Sequence, residues 1–227
     1  MKKLLPLLLI VPMLLVIVPS QAISNYVDIL PTAISTGQWN TIKSGHQLIP
    51  MKDGRVLDWV ANTGEWKLWN YNPQNTNDIL PGKPIAKGQW DTIKSGHQLI
   101  PMKDGRVLDW VANTGEWKLW NYNPQNTNDI LPGKPVSKGK WDTIKSGHQL
   151  IPMKDGRVLD WVANTGEWKL WNYNPQNTND ILPGKPVSKG KWDTIKSGHQ
   201  LIPMKDGRIL DWVVNTGEWR LWNYDAR

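Results

Sequence analysis

The chain contains no cysteine and no phenylalanine among its 227 residues, and it has only four histidines. The absence of cysteine excludes disulfide bonds and a lipid anchor on cysteine, so packing alone must hold an exported fold together. The aromatic content is concentrated instead in sixteen tryptophans. Because each indole buries a large area, these side chains can replace the missing covalent cross-links.

Long apolar runs are rare, and the one at the N-terminus has the pattern of a secretory signal peptide. Two lysines precede the apolar stretch Leu4–Val18, and small residues end at Ser20-Gln21-Ala22. The stretch is short for the roughly 20 residues that a membrane-spanning helix needs. The sequence therefore predicts a signal peptide over residues 1–22, with membrane contact only before its cleavage. A secreted or periplasmic (extracytoplasmic) domain over residues 23–227 would remain.

The charge is mildly basic, with a formal net charge of +7. Lysines and arginines are spread evenly along the chain instead of clustering, which argues against nucleic acid as a partner. Anionic surfaces and acidic glycans remain compatible with this charge.

Four nearly identical segments make up the rest of the chain. The string TIKSGHQLIPMKDGR recurs after tryptophans that are spaced 51 residues apart, at Trp39, Trp90, Trp141 and Trp192. A repeat of this length is one supersecondary unit that stacks against copies of itself.

Each unit is predicted to contain three strands and an outer, proline-bearing fourth one. An Asp-Gly pair between the apolar runs His46–Met51 and Arg55–Val60 indicates a β-hairpin. A second turn leads into Glu65–Tyr71, where bulky residues occupy both faces. The extended segment Ile79–Ile85 carries prolines, which cannot donate to a strand ladder, so it is expected at a sheet edge.

A sheet that is covered on both faces and repeated four times predicts an all-β, four-bladed β-propeller of near-identical 51-residue repeats. The N-terminal strand is predicted to close the ring. Asp28–Pro31 has the outer-strand sequence, whereas the last copy reaches Tyr224 after its third strand and lacks an outer strand of its own. An open β-solenoid and a larger propeller assembled from two chains remain as alternatives.

The stretch GHQLIPMKDGRVLDW resembles the first hairpin of kelch and galactose-oxidase propeller repeats, in which a histidine precedes an apolar strand, an Asp-Gly turn and an Arg-Val-Leu strand. The segment Trp69–Pro73 is similar to the family's aromatic-Asp-Pro position. The chain departs from the family where Asp58-Trp59 replaces a Gly-Gly pair. The resemblance implies a propeller fold. The copper centre of the oxidases needs a tyrosine joined to a cysteine, which this chain cannot form.

The histidines admit two interpretations. No pair of them lies at metal-ligand spacing, but all four could line the axis and hold a metal or an anion: His46, His97, His148 and His199. We favour a structural role, because Gly45-His46 with Asp58-Trp59 resembles the hydrogen-bonded Gly-His network of WD-repeat propellers. We therefore predict no metal site and no cofactor.

Four residue types of each unit are candidates for sugar contact. Indole stacks on the apolar faces of sugars, while carboxylates and guanidinium groups pair with sugar hydroxyls. Asp58 lies within an apolar strand, so it needs a partner such as His46 or Arg55. The predicted ligand-binding residues are Arg55, Asp58, Glu65, Trp66, Arg106, Asp109, Glu116, Trp117, Arg157, Asp160, Glu167, Trp168, Arg208, Asp211, Glu218 and Trp219.

Near-identical units offer several equal sites, which gain by avidity when the target is itself repetitive. The predicted function is an exported lectin-like or adhesive module that binds a glycan or cell-surface polymer. It is predicted not to be an enzyme, because a catalytic site needs dissimilar groups in distinct roles. Two alternatives remain: a protein-interaction or envelope-structural propeller, and a hydrolase or lyase with an axial site.

Overall fold

The computed structural model describes Ala33 and residues 35–225, and all of its fifteen elements are strands. The first sheet contains β1 (His46–Pro50), β2 (Val56–Val60), β3 (Glu65–Trp69) and β4 (Ala86–Gln89). The second contains β5 (His97–Pro101), β6 (Val107–Val111), β7 (Glu116–Trp120) and β8 (Ser137–Lys140). The third contains β9 (His148–Pro152), β10 (Val158–Val162), β11 (Glu167–Trp171) and β12 (Ser188–Lys191). The fourth contains β13 (His199–Pro203), β14 (Ile209–Val213) and β15 (Trp219–Trp222).

The Asp-Gly turn forms the predicted hairpin in every sheet. In the first sheet, β1 and β2 are antiparallel, with His46 opposite Val60. The amide of Met51 donates to the carbonyl oxygen of Arg55 at 2.8 Å. Gly54 between them has a φ of 83°, a conformation that glycine adopts without steric cost. The sequence prediction of this hairpin is confirmed.

The fourth strand differs from its prediction. It is Ala86–Gln89, which follows the proline-bearing segment Ile79–Ile85 instead of lying within it. Pro81 and Pro84 have no amide hydrogen, and Gly82 between them has a φ of 80°, so this segment bends. The prediction that Ile79–Ile85 forms the outer strand was therefore wrong.

The sheets pack face to face through one repeated contact, which we call the seam. Each sheet presents a trailing face to the next sheet and a leading face to the preceding one. In the first seam, the trailing side chains include Met51, Leu57, Trp59, Trp66 and Leu68, and the leading ones include Leu99, Val107, Ile130 and Leu131. The second and third seams use the corresponding residues of the following repeats.

The first strand of each sheet is the innermost. Strand β1 contacts β5, β5 contacts β9, and β9 contacts β13. The four sheets therefore follow one another around one axis as the four blades of a β-propeller, and the predicted fold class is confirmed. The part of the chain that the structure describes contains no helix that is long and apolar enough to cross a membrane.

Two N-terminal predictions fall outside the described residues, namely the signal peptide over residues 1–22 and the closing segment Asp28–Pro31. The next described segment lies beside the first blade. The Ser35 hydroxyl donates to the carbonyl oxygen of Thr76 at 2.7 Å, and the Trp39 indole N–H donates to Asp78 at 2.9 Å. Among the described residues, β15 is the outermost strand of its sheet. Ring closure by the N-terminal strand stays a prediction.

The glycine of the second hairpin turn provides a test of this packing. A Cβ atom on Gly115 would lie 2.1 Å from the carbonyl oxygen of Trp141, whereas one on Gly133 would have nothing within 4 Å. Both residues have a positive φ, of 76° and 77°. We expect Gly133→Ala to lower the free energy of unfolding by about 1–2 kcal/mol, from left-handed strain alone. Gly115→Ala adds a clash and should lower it by about 3 kcal/mol or more. Urea unfolding of the two variants measures the difference, and equal losses would contradict this account.

Candidate functional site

The tryptophan predicted to contact sugar lies on the trailing face of each blade. Trp66 is 2% exposed, and its ring stacks on Trp90 with centroids 5.3 Å apart. Trp117 is equally buried, while Trp168 and Trp219 are half-buried. The rings of the first two blades therefore serve the seam and have no face free for a sugar. The prediction of sugar contact by Trp66 rested on its polar neighbours in the sequence, which do not reveal that the ring is covered.

The recurring aspartate is paired with the recurring histidine inside each blade. Asp58 is 1% exposed, and its Oδ1 lies 2.6 Å from His46 Nδ1. The same distance recurs in the other three blades, for His97 with Asp109, His148 with Asp160 and His199 with Asp211. A carboxylate within an apolar strand needs such a partner, so the predicted pairing with His46 is confirmed. The described residues contain no cluster of three or more His, Asp or Glu side chains that could hold a metal ion.

The remaining two candidates stand at opposite ends of a strand. Arg55 precedes β2 and pairs with Asp53 at 2.9 Å in the first turn. Glu65 is exposed and lies opposite Val60, at the far end of β2. The same register holds for Arg106 and Glu116 in the second blade. The four predicted residue types of one unit therefore do not converge on one site, and a ligand role for them stays a prediction.

A hydrogen bond between blades involves an aspartate that sequence reasoning assigned only to a turn. The Tyr122 hydroxyl donates to Asp53 Oδ2 at 3.0 Å across the first seam. Burial, followed by the charge of Asp53, raises the pKa of Tyr122 well above its usual range. Tyrosines that bridge the next two seams in the same way are Tyr173, which donates to Asp104, and Tyr224, which donates to Asp155. The sequence gives no local sign of this contact, because its partners lie 69 residues apart.

A cavity of about 370 Å³ lies on the axis, at the end where the first hairpin turns meet. Its lining repeats the tripeptide Pro-Met-Lys from each blade, so an apolar floor is edged by amines. The four lysines, which we call the lysine rim, are all exposed: Lys52, Lys103, Lys154 and Lys205. Sequence reasoning missed the rim because Lys52 was interpreted only as part of a turn.

The rim lysines extend toward the next blade. A Cβ on Gly105 would lie 3.3 Å from Lys52 Cδ, and one on Gly156 would lie 3.4 Å from Lys103 Cδ. Lys154 Nζ donates to the carbonyl oxygen of Asp206 at 3.0 Å. The glycines of the hairpin turns thus leave room for the lysine stems, which places the amines over the seams around the cavity.

No family model matches the chain. Elongator complex protein 2 of Saccharomyces cerevisiae is 22% identical over 161 residues, which cover 66% of this chain and 20% of that protein. Among solved structures, the periplasmic gluconolactonase PpgL of Pseudomonas aeruginosa is 14% identical, with a TM-score of 0.44 over 80% of this chain and 50% of that one. Virginiamycin B lyase of Staphylococcus aureus is 10% identical, with a TM-score of 0.40 over 79% of this chain and 55% of that one.

The chain is a β-propeller repeat protein, and it spans one fifth of the curated relative and about half of these solved structures. The kelch resemblance is not confirmed by these comparisons and stays a prediction.

The comparisons correct one prediction, that the chain is not an enzyme. Propellers named as a gluconolactonase and as a lyase are among the similar structures. At such low identity the likeness shows the fold alone, so it assigns no reaction to this chain.

The tyrosine contact across the seams predicts a loss of stability in alkali. Burial and the hydrogen bond to Asp155 raise the pKa of Tyr224 to about 12. A tyrosine in the unfolded chain titrates near pH 10. The stabilisation that protonated Tyr224 provides is therefore complete below about pH 10 and is lost as the pH rises to 12. We expect the wild-type protein to lose more free energy of unfolding than Tyr224→Phe between these limits. Urea unfolding on either side of pH 10 measures this, and equal losses would rule the contact out.

Proposed function

We propose that this protein is an exported binding module for a repetitive anionic polymer, such as an acidic cell-surface glycan. The observation that carries the proposal is the lysine rim around the axial cavity. The predicted signal peptide over residues 1–22 supports an extracytoplasmic location, where such polymers occur.

The rim has the chemistry that an acidic sugar chain requires. Each lysine carries a compact charge on a flexible stem, which suits carboxylate or sulfate groups that differ in position from one sugar to the next. The Pro side chains of the same tripeptides are exposed or half-buried, and with the exposed Met204 they offer an apolar surface to the C–H faces of a sugar ring. A single exposed ion pair contributes little, so binding depends on several amines acting together on one polymer.

The acidic groups at the same end of the propeller do not cancel this charge. Asp53 pairs with Arg55 within its turn and accepts a hydrogen bond from Tyr122 in the next blade. Asp104 likewise pairs with Arg106 and accepts from Tyr173. The turn carboxylates are therefore already neutralised by arginines, and the lysines supply an excess of positive charge.

The test is binding of the full chain to immobilised polygalacturonate, with neutral dextran for comparison. Four exposed ion pairs contribute on the order of 1–4 kcal/mol in total, so replacing all rim lysines by glutamine should weaken binding about fivefold or more. Binding should also decrease as salt is raised, because exposed charges are screened.

The matched control removes the same charge elsewhere. The exposed lysines of the outer segments are replaced by glutamine in one variant, at Lys83, Lys134, Lys138 and Lys185. This variant should bind like the wild-type protein. Equal weakening in both variants would mean that net charge alone attracts the polymer, and binding to dextran as tight as to polygalacturonate would overturn the anionic specificity. Breakdown of the polymer by the wild-type protein would assign the rim to an enzyme instead.

A further inference from the structure

The leading face of the first blade is open. Leu48 is 41% exposed, whereas its equivalent Leu99 is 7% exposed because the first blade covers it. Tyr71 is 46% exposed, while its equivalent Tyr122 bridges a seam. Among residues 35–225 no blade lies in front of this face, so the first blade presents one half of a seam.

The trailing face of the fourth blade is open as well. Ile202 and Met204 are each 38% exposed, whereas the equivalent Ile100 and Met102 are buried in the second seam. Asp206 has no tyrosine partner among the described contacts, although Asp53 and its other copies each have one. The fourth blade thus presents the opposite half of the same seam.

These two open faces are complementary, because the chain contains three examples of their contact. The repeats share the residues of the trailing and leading faces almost without change. A fourth seam would cover Leu48 with the open trailing face of the fourth blade, and it would place the Tyr71 hydroxyl on Asp206 as in the three seams that exist. It would bury both open apolar faces.

The described N-terminal segment is also positioned to complete such a seam. The contact of Trp39 with Asp78 repeats the contact of Trp90 with Asp129. Trp90 directly follows β4, and its contact with Asp129 joins the first blade to the second. Residues 35–38 correspond in the repeat to the fourth strand Ala86–Gln89, and they lie beside the first blade as that strand lies beside the second. In the described residues β15 has an unpaired edge, which such a strand would cover.

One chain does not bring its two open faces together in this structure. Strands β1, β5, β9 and β13 contact one another in order, but within residues 35–225 no contact joins β13 to β1. Each seam is built from the same residues, so each blade is rotated from the preceding one by a similar angle. The last face of one chain therefore remains available to the first face of another.

We propose that two copies of this chain dock through these faces and close one ring of eight blades. A twofold axis pairs the trailing face of each copy with the leading face of the other, so both open seams are filled at once. The assembly would carry the lysines of both rims together around one axis. The proposal does not depend on what those rims bind.

The first test is the mass of the full chain in solution, measured by light scattering during size-exclusion chromatography at several concentrations. The expected result is twice the mass of one chain. A monomer at every concentration would show that the ring closes within one chain, and a mass that keeps growing with concentration would show an open filament. Either result overturns the proposal.

The second test places a charge in the new seam. Leu48→Glu should yield a monomer with an unchanged circular dichroism spectrum, since the side chain is exposed in one copy and buried only between two. The control Asn128→Glu adds the same charge on an exposed loop and should remain a dimer. A dimeric Leu48→Glu would place the association elsewhere, for example in the apolar segment of residues 1–22, and would overturn the proposal.

A pair of tyrosine variants separates the new seam from those within the chain. Tyr71→Phe should raise the dissociation constant of the dimer about tenfold, because it removes one hydrogen bond from each new seam. Tyr173→Phe removes the equivalent bond inside one chain, so it should lower the urea midpoint and leave the dimer intact. Equal dimer affinity in the two variants would exclude the contact between Tyr71 and Asp206.

Discussion

The structure depends on the contact between the trailing face of one blade and the leading face of the next. Without disulfides, this seam packs one sheet against the next, and it buries tryptophans such as Trp59, Trp110 and Trp161 almost completely. The stacked pair Trp66 and Trp90 shows how it works: the first ring projects from a strand of one blade, and the second ring follows that blade's last strand. Gly88 opposite Trp66 has no side chain, and this allows the indole to lie flat against the sheet. The same pairing of a large indole with a glycine on the neighbouring strand recurs in the second and third blades.

The same seam also determines where polar groups can lie. The His46–Asp58 pair joins β1 to β2 within one sheet, where a lone carboxylate would be too costly to bury. The tyrosine bridges link the hairpin turns of the first three blades to the blade that follows each of them. The turn aspartates pair with the turn arginines, and among the described residues no rim lysine belongs to such an ion pair. The candidate ligand surface thus results from how the seams pair the other charges.

Local chemistry allowed much of the fold to be predicted from the sequence. The Asp53-Gly54 dipeptide strongly favours a tight turn, so the first hairpin could be predicted. The number of blades followed from the four copies of the repeat. The fourth strand was misplaced because Ile79–Ile85 looks extended, and only the positive φ of Gly82 between two prolines shows that it bends. The site was predicted less well. Trp66 alternates with polar residues, and nothing in that pattern distinguishes an exposed rim from a face covered by another blade. The contacts of Tyr122 and Lys52 join different repeats, and their partners cannot be identified from the residues beside them.

The near-identity of the seams has a consequence for how this protein can change over evolutionary time. A gene that gains or loses one whole repeat encodes a chain in which every remaining neighbour still meets a familiar surface. Duplication by unequal recombination would therefore alter the size of the protein in whole blades while preserving its packing, and the number of rim amines would change in step.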